Sequence, residues 1–420
     1  MKWKLIILML GIFLVSAEGF AFTILRAGNG AEIHWEETPT YYINPDSINN
    51  DTTKTCVADP TGTVQEAFNK WLSIPNTSIS VSYGGTSGVI HFCGEILHSD
   101  TGCDGVNIII FSKSSIFVSG TLALTVNKYD PKTGKIVETD IGINDKVDWS
   151  DDPTESQIDG CTGDTIYAFS AVITHELGHF FGLDHSFIGY YGPRLDKVYA
   201  DIAPTMFPFY FKDYWEHEMS LEQDDKAGLV YLYPGSEPTG WGNISGKVKL
   251  DSGEGLFGVH IVALRKDDKT PVIGAMSESN GNYLLYGLPP ENYYVFAESP
   301  EIWGRSISDL LVQTGYWKNI DEAPYVQLYE QVQVEDYTRL GKGSTIFERA
   351  EVKAVSVSEG ATSSGVDFIY PSPGDDGGGC GCWMVPGKGA GVDIVAGLAM
   401  VIIFSVWLRA MLKRRGGING

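Results

Sequence analysis

Apolar and polar residues alternate along the first half of the chain and change period at a few places. From Phe22 to about Asn50 the alternation carries Ile33 and Trp35, then Tyr41, Tyr42 and Ile43, and predicts a first strand. Val64 to Leu72 switches to helical spacing, with Trp71 on the apolar face. Ser78–Tyr83, Val106–Phe111 and Leu122–Tyr129 return to strand character. Pro131-Lys132-Thr133-Gly134 reads as a hairpin turn before a strand at Ile136–Ile143. Ile166, Phe169, Val172 and Ile173 mark the buried side of a helix predicted over Ile166–Phe181, and Leu221–Tyr233 predicts a closing helix. Strands mixed with three helices make an α+β domain over 22–234. Beyond Trp241 the pattern is of short strands only. Ile244–Val248 and Gly258–Leu264 are two of them, Asn280-Gly281-Asn282-Tyr283 turns into a third, and Gly287-Leu288-Pro289-Pro290 precedes a fourth at Tyr293–Ala297. Gly365–Tyr370 is a candidate last strand. This spacing predicts an all-β sandwich over 241–371, with Pro300 to Arg349 unassigned and a spacer or binding role.

Both ends carry segments of another kind. Met1–Ala21 reads as a secretory signal: Lys2 and Lys4 form its positive region, and Leu5–Val15 is apolar but too short to span a bilayer. Cleavage is expected after Ala17 or Ala21, with Ala21 preferred. Residues 372–392 form a Gly-rich linker holding Cys380 and Cys382. In 393–420 an apolar run, Ile394 to Leu408, precedes Arg409, Lys413, Arg414 and Arg415. That order predicts a single-span transmembrane anchor or a sorting segment, with everything before it outside the cell. The tail resembles the Cys-containing C-terminal sorting signals of bacterial surface proteins, in which the cysteine is the processing or lipid-attachment point. The expectation is an exported, surface-tethered protein.

Composition narrows the partners. A 420-residue chain suits two domains plus targeting segments, and a net charge of −23 argues against nucleic acid or an anionic membrane surface as partner. Four of the six cysteines, Cys56, Cys93, Cys103 and Cys161, fall in the first domain. In an exported protein they are expected to form disulfides. Three pairings are open; Cys93–Cys103 with Cys56–Cys161 is favoured because the first closes a short loop.

The chemistry concentrates in His175-Glu176-Leu177-Gly178-His179-Phe180-Phe181-Gly182-Leu183-Asp184-His185. On a helix His175 and His179 lie on one face about one turn apart, so both can reach one metal ion. Glu176 can reach a water on that metal without ligating it. Gly182 can end the helix in a conformation closed to other residues, and the returning chain brings His185. Three protein ligands leave a fourth zinc position open, the arrangement of a catalytic site. With zinc bound, acid should inactivate by protonating the imidazoles.

These residues resemble the metzincin metallopeptidases, whose HExxHxxGxxH motif precedes a Met-turn. Ala203-Pro204-Thr205-Met206-Phe207-Pro208 is similar to that turn, and Pro208 makes the matrixins the nearest group. Trp71, Asp104–Asn107, Asp140–Asn144 and Leu221–Tyr233 fit more loosely. The resemblance implies a zincin-like catalytic domain in which Glu176 is the general base, His175, His179 and His185 bind zinc, and Met206 forms an apolar floor. The substrate is then a protein or peptide and the chain acts as a monomer. It also implies that Phe207 and Phe209–Trp215 wall the pocket for the residue after the cleaved bond, suiting a large apolar side chain there. A new amino terminus at Phe22 could pair with Asp224 or Asp225, as in processed matrixins. No propeptide or latency cysteine is recognised. A second, structural zinc at His91 and His98, or calcium at Asp104, Asp145, Asp148, Asp151 and Asp152, is the remaining cofactor expectation; His34, His217 and His260 lack ligand spacing. The sandwich resembles transthyretin-like, carboxypeptidase-regulatory-like modules. The competing reading is a non-catalytic surface adhesin or binding protein built on the same scaffold.

Overall fold

The computed structural model describes residues 23–372, apart from 48–54, 96–102, 118–119, 153–165, 189–202, 299–300, 303–304, 307–315, 317–320, 322–325 and 335–344. The signal segment, the Cys-Gly-Cys linker and the apolar run Ile394 to Leu408 therefore lie outside the described residues. The transmembrane expectation is corrected: among the described residues no helix is long and apolar enough to cross a membrane.

The first half is a mixed α+β unit. Its strands are β1 (Thr40–Asn44), β2 (Thr55–Cys56), β3 (Ser82–Thr86), β4 (Asn107–Ser112), β5 (Ala123–Tyr129), β6 (Ile136–Asn144), β7 (Asp148–Ser150) and β8 (Ile166–Ala168). Its helices are α1 (Pro60–Leu72), α2 (Phe169–Phe180), a four-residue α3 (Trp215–Glu218) and α4 (Gln223–Leu232). Five strands form one sheet in the order β3-β1-β4-β6-β5. All neighbours are parallel except β5, which runs antiparallel to β6 at the edge. The strand expected between Phe22 and Asn50 is only β1. Residues 23–35 instead make isolated bridges, Ile24 to Leu183 and His34 to Lys135 among them, and so strap the sheet to the end of α2.

Helix α1 starts earlier than its apolar spacing predicts, because Asp59 caps it by accepting the Gly62 N–H at 2.9 Å. The reach predicted as one helix from Ile166 divides: Ile166–Ala168 pairs with β7 before α2 begins. Three apolar residues of strand character precede the helical run, and spacing alone does not separate them. The two halves of the core meet at aromatic rings. Tyr41 stacks on Phe68 at 4.0 Å between centroids, and Phe68 meets Phe180 edge-on. Trp71, fully buried, donates its indole N–H to the Thr174 carbonyl at 2.9 Å and so ties α1 to α2. A disulfide joins Cys93 and Cys103. Cys56 is also disulfide-bonded, to a partner outside the described residues.

The second half is built of strands. β9 (Gly242–Leu250) and β12 (Asn282–Leu288) pair in one sheet; β10 (His260–Arg265), β11 (Pro271–Met276) and β13 (Asn292–Glu298) form the other in the order β11-β10-β13. Phe368–Tyr370 pairs with β9. Their inner faces close on Ile244, Val248, Ile261, Leu285, Val295 and Phe368.

The second unit does more than space the first from a surface. Ile24 and Ala227 of the first half sit within its core cluster, and Met276 packs with Phe187, Ala203 and Phe207. Asp224 accepts the backbone N–H of Gly274 in β11 at 3.0 Å, and Gln223 donates to the Gly287 carbonyl. Helix α4 is thus shared between the two halves.

Candidate metal centre

Helix α2 is buried along nearly its whole length, from Phe169 to Phe180. Edge strand β5 lies beside it and presents Thr125 and Asn127, two residues apart and therefore on one face. Asn127 donates to the His179 carbonyl at 3.0 Å, and Thr125 donates to a Glu176 carboxylate oxygen at 2.5 Å.

The helix ends at a turn that hydrogen bonds define fully. Gly182 N–H bonds the His179 carbonyl at 3.0 Å and Leu183 N–H bonds the Gly178 carbonyl at 2.9 Å, a Schellman pair. Gly182 has φ +96°, a conformation that favours glycine. The chain then turns back against residues 23–25: Leu25 N–H bonds Gly182 O, and Asp184 N–H bonds Thr23 O. The turn delivers His185 opposite the two helical histidines.

The nitrogens of His175, His179 and His185 all lie within 4.8 Å of one another, and the Nε2 atoms of His179 and His185 are 3.2 Å apart. Tetrahedral zinc with bonds of about 2.0–2.1 Å needs ligand nitrogens about 3.3 Å apart, so His179 and His185 stand at that spacing and His175 lies near enough to join them. His175 Nδ1 lies 2.6 Å from the Thr205 carbonyl, and His179 Nδ1 lies 2.8 Å from the Leu183 carbonyl. A carbonyl can only accept, so both Nδ1 atoms carry the proton and both Nε2 lone pairs are free for a metal. Burial holds His175 down to about 4, against a weaker opposing pull from its Thr205 bond. Burial also lowers His179 well below its ordinary value, with His185 and His175 adding to the effect. The imidazoles of His175 and His179 are thus neutral, as ligation requires.

Glu176 is buried, and burial raises it to about 7 while the Thr125 bonds pull it back. Its carboxylate faces the same cleft as His175. Beneath them lies Met206, 2% exposed. A methyl group at Gly178 would stand 2.0 Å from Met206 Sδ, so the missing side chain at 178 makes the room that the methionine fills. Met206 and Thr205 are held from below by Asp225, whose two oxygens accept the Thr205, Met206 and Glu222 N–H groups. Burial, reinforced by neighbouring Asp224, raises Asp225 to about 8 against those three bonds. Ser186, next to the third histidine, donates to Asp224 at 2.7 Å. The support under the histidines therefore runs through α4 into β11.

The cleft itself is about 470 Å³ with its open mouth and is walled by Leu122, Val172, Phe207, Phe209 and Tyr210. Glu218 also lines it and accepts the Phe211 N–H. Burial pushes this carboxyl well above the usual range.

The structure brings together His175, Glu176, His179, His185 and Met206 from the sequence motif. The other expected metal sites are not seen among the described residues. His98 lies outside the described residues, and His91 bonds Glu95 at 2.6 Å. Asp145 faces Lys113 and Asp151 accepts the Ala58 N–H. Among the described residues no second group of three or more such side chains could share an ion. Phe22, which carries the ammonium expected to meet Asp224 or Asp225, also lies outside the described residues. His260 pairs with Glu298 inside the second unit.

Thr125, Asn127 and Glu218 escaped sequence reasoning, which reached Asp225 only as a partner for the Phe22 ammonium and not as the support of the Met206 turn. Thr125 and Asn127 left one trace, two polar residues in alternate positions of a predicted strand. Glu218 left none, standing among Glu216, His217 and Glu222. No protein-family model matches this chain, and no curated protein matches it.

Proposed function

We propose that this chain is an exported zinc-dependent endopeptidase of metzincin type, closest to the matrixins, with a transthyretin-like sandwich buttressing its catalytic half. One observation carries the reading: the ligand nitrogens of three imidazoles converge within 4.8 Å of one another, with the buried carboxylate of Glu176 beside them on an open cleft. A zinc ion held by His175, His179 and His185 would supply Lewis acidity and a bound water of near-neutral pKa.

The chain's own groups supply the rest. Glu176 takes a proton from the attacking water at its carboxylate and passes it to the leaving amine. Thr125 holds one oxygen of that carboxylate, which leaves the other to face the cleft. Among the described residues β5 is the edge strand of the main sheet, and an extended peptide can add to such an edge as a further strand. The intact Glu176 weighs against a purely adhesive role, since a scaffold would need only the histidines.

The test incubates the purified protein with casein or gelatin, with and without a chelator, beside Glu176→Ala. Cleavage that needs both the metal and Glu176 is the expected result. A protein that binds no zinc, or that cleaves equally well without Glu176, refutes the reading.

A further inference from the structure

Among the described residues that line the cleft, Glu218 is the one charged side chain besides Glu176, and the proposed proton transfer does not use it. It sits on α3 among Phe207, Phe209, Tyr210 and Phe211. One carboxylate oxygen accepts the Phe211 N–H. Among the described residues no lysine, arginine or histidine forms an ion pair with it. A carboxylate taken out of water with one donor and no countercharge is costly to ionise. Holding Phe211 N–H would need only a neutral acceptor, so that bond does not account for a carboxylate here.

Aromatic walls alone would suit an apolar guest. Aromatic walls with an uncompensated carboxylate suit a long apolar stem that ends in a cation. Lysine and arginine have that shape: methylenes pack on the rings, the cationic head reaches the carboxylate, and the ring faces attract the charge.

We infer that Glu218 selects peptides carrying lysine or arginine beside the cleaved bond. The inference rests on the endopeptidase reading and names its substrate class. The guest's charge supplies the countercharge that none of the described residues gives, so a cationic side chain gains where an uncharged one of equal length gains only burial.

Synthetic peptides that differ only at the two positions flanking one bond, with arginine, lysine, norleucine, leucine or glutamate there, test it. Cleavage sites are read by mass spectrometry and kcat/KM is measured for the zinc-loaded protein and for Glu218→Gln, which keeps an acceptor for Phe211. The lysine peptide is expected to exceed its norleucine counterpart by about 30-fold or more, and the ratio should collapse towards one in Glu218→Gln. Zinc content and circular dichroism confirm that the variant is folded. A measurement on the unaltered protein accompanies it: n-butylguanidinium should inhibit at lower concentration than n-butylurea, its uncharged isostere. Efficient cleavage with norleucine equal to lysine, a ratio unmoved by Glu218→Gln, or equal inhibition by the two small molecules overturns the assignment of Glu218 alone. Zinc-loaded protein that cleaves no peptide overturns the endopeptidase reading, and this inference falls with it.

Discussion

Replacing Gly182 with alanine puts the whole metal centre under load through one methyl group. The position has φ +96°, and a methyl built there would stand 2.1 Å from the Ile33 carbonyl oxygen. That obstacle is backbone, so no rotamer change relieves it. The left-handed conformation costs alanine about 1–2 kcal/mol. Forcing the extra carbon into a packed site costs about 1–3 kcal/mol more. Lower entropy in the unfolded chain returns about 0.4–1 kcal/mol. The net expected loss is about 1–4.5 kcal/mol. Relief must come from moving the turn, and the turn carries both the Leu183 carbonyl that orients His179 and the residues leading to His185. Zinc affinity should therefore fall by about 10- to 100-fold, as it does when an orienting partner is lost. Guanidinium unfolding followed by tryptophan fluorescence, with zinc and after chelation, measures the first quantity; competition with a chromophoric chelator measures the second. The zinc-loaded protein should lose more stability than the stripped one, because weakened binding adds to the strain. An unaltered midpoint together with zinc affinity within threefold of the parent would refute the role assigned to this turn.

Further outcomes are expected. Glu176→Gln should keep zinc at one ion per chain and lose about 10²–10⁴-fold in kcat; activity within tenfold of the parent would remove Glu176 as general base. Asp224→Ala strips the acceptor from Ser186 and leaves the buried Gly274 N–H unpaired, at a cost of about 1–3 kcal/mol, and calorimetry should show a lower melting temperature with weaker zinc binding. A melting curve that superimposes on the parent's would mean that β11 does not brace the metal centre. Asp140 is fully buried, and burial raises it to about 7 against the Cys93 and Ile108 N–H bonds. The folded chain holds this proton more tightly than the unfolded one, so its stabilising contribution is complete below the ordinary aspartate value of 3.8 and is lost as pH climbs to about 7. Asp140→Asn should flatten the fall in denaturant-measured stability across that window, and an unchanged slope would contradict the assignment.

The sequence by itself determined the centre of the molecule. Helical spacing set His175 and His179 on one face, Gly182 marked where the helix ends, and the alternation at Val106–Phe111, Leu122–Tyr129 and Ile136–Ile143 marked three strands of the main sheet within a residue or so. Those features are local, since a helix face, a capping glycine and a strand period each depend on neighbours a few residues away. Only the tertiary structure decided how the centre is supported. Thr125 meets Glu176 from 51 residues away, and Asp224 meets Gly274 from 50. Glu218 comes to the cleft by a short helix that its surrounding sequence did not announce. The bridge pattern of residues 23–35 and the shared core at Ile24 and Ala227 likewise arise from packing between distant segments. Periodicity records which side of an element is apolar; it carries no record of which other element that side will meet.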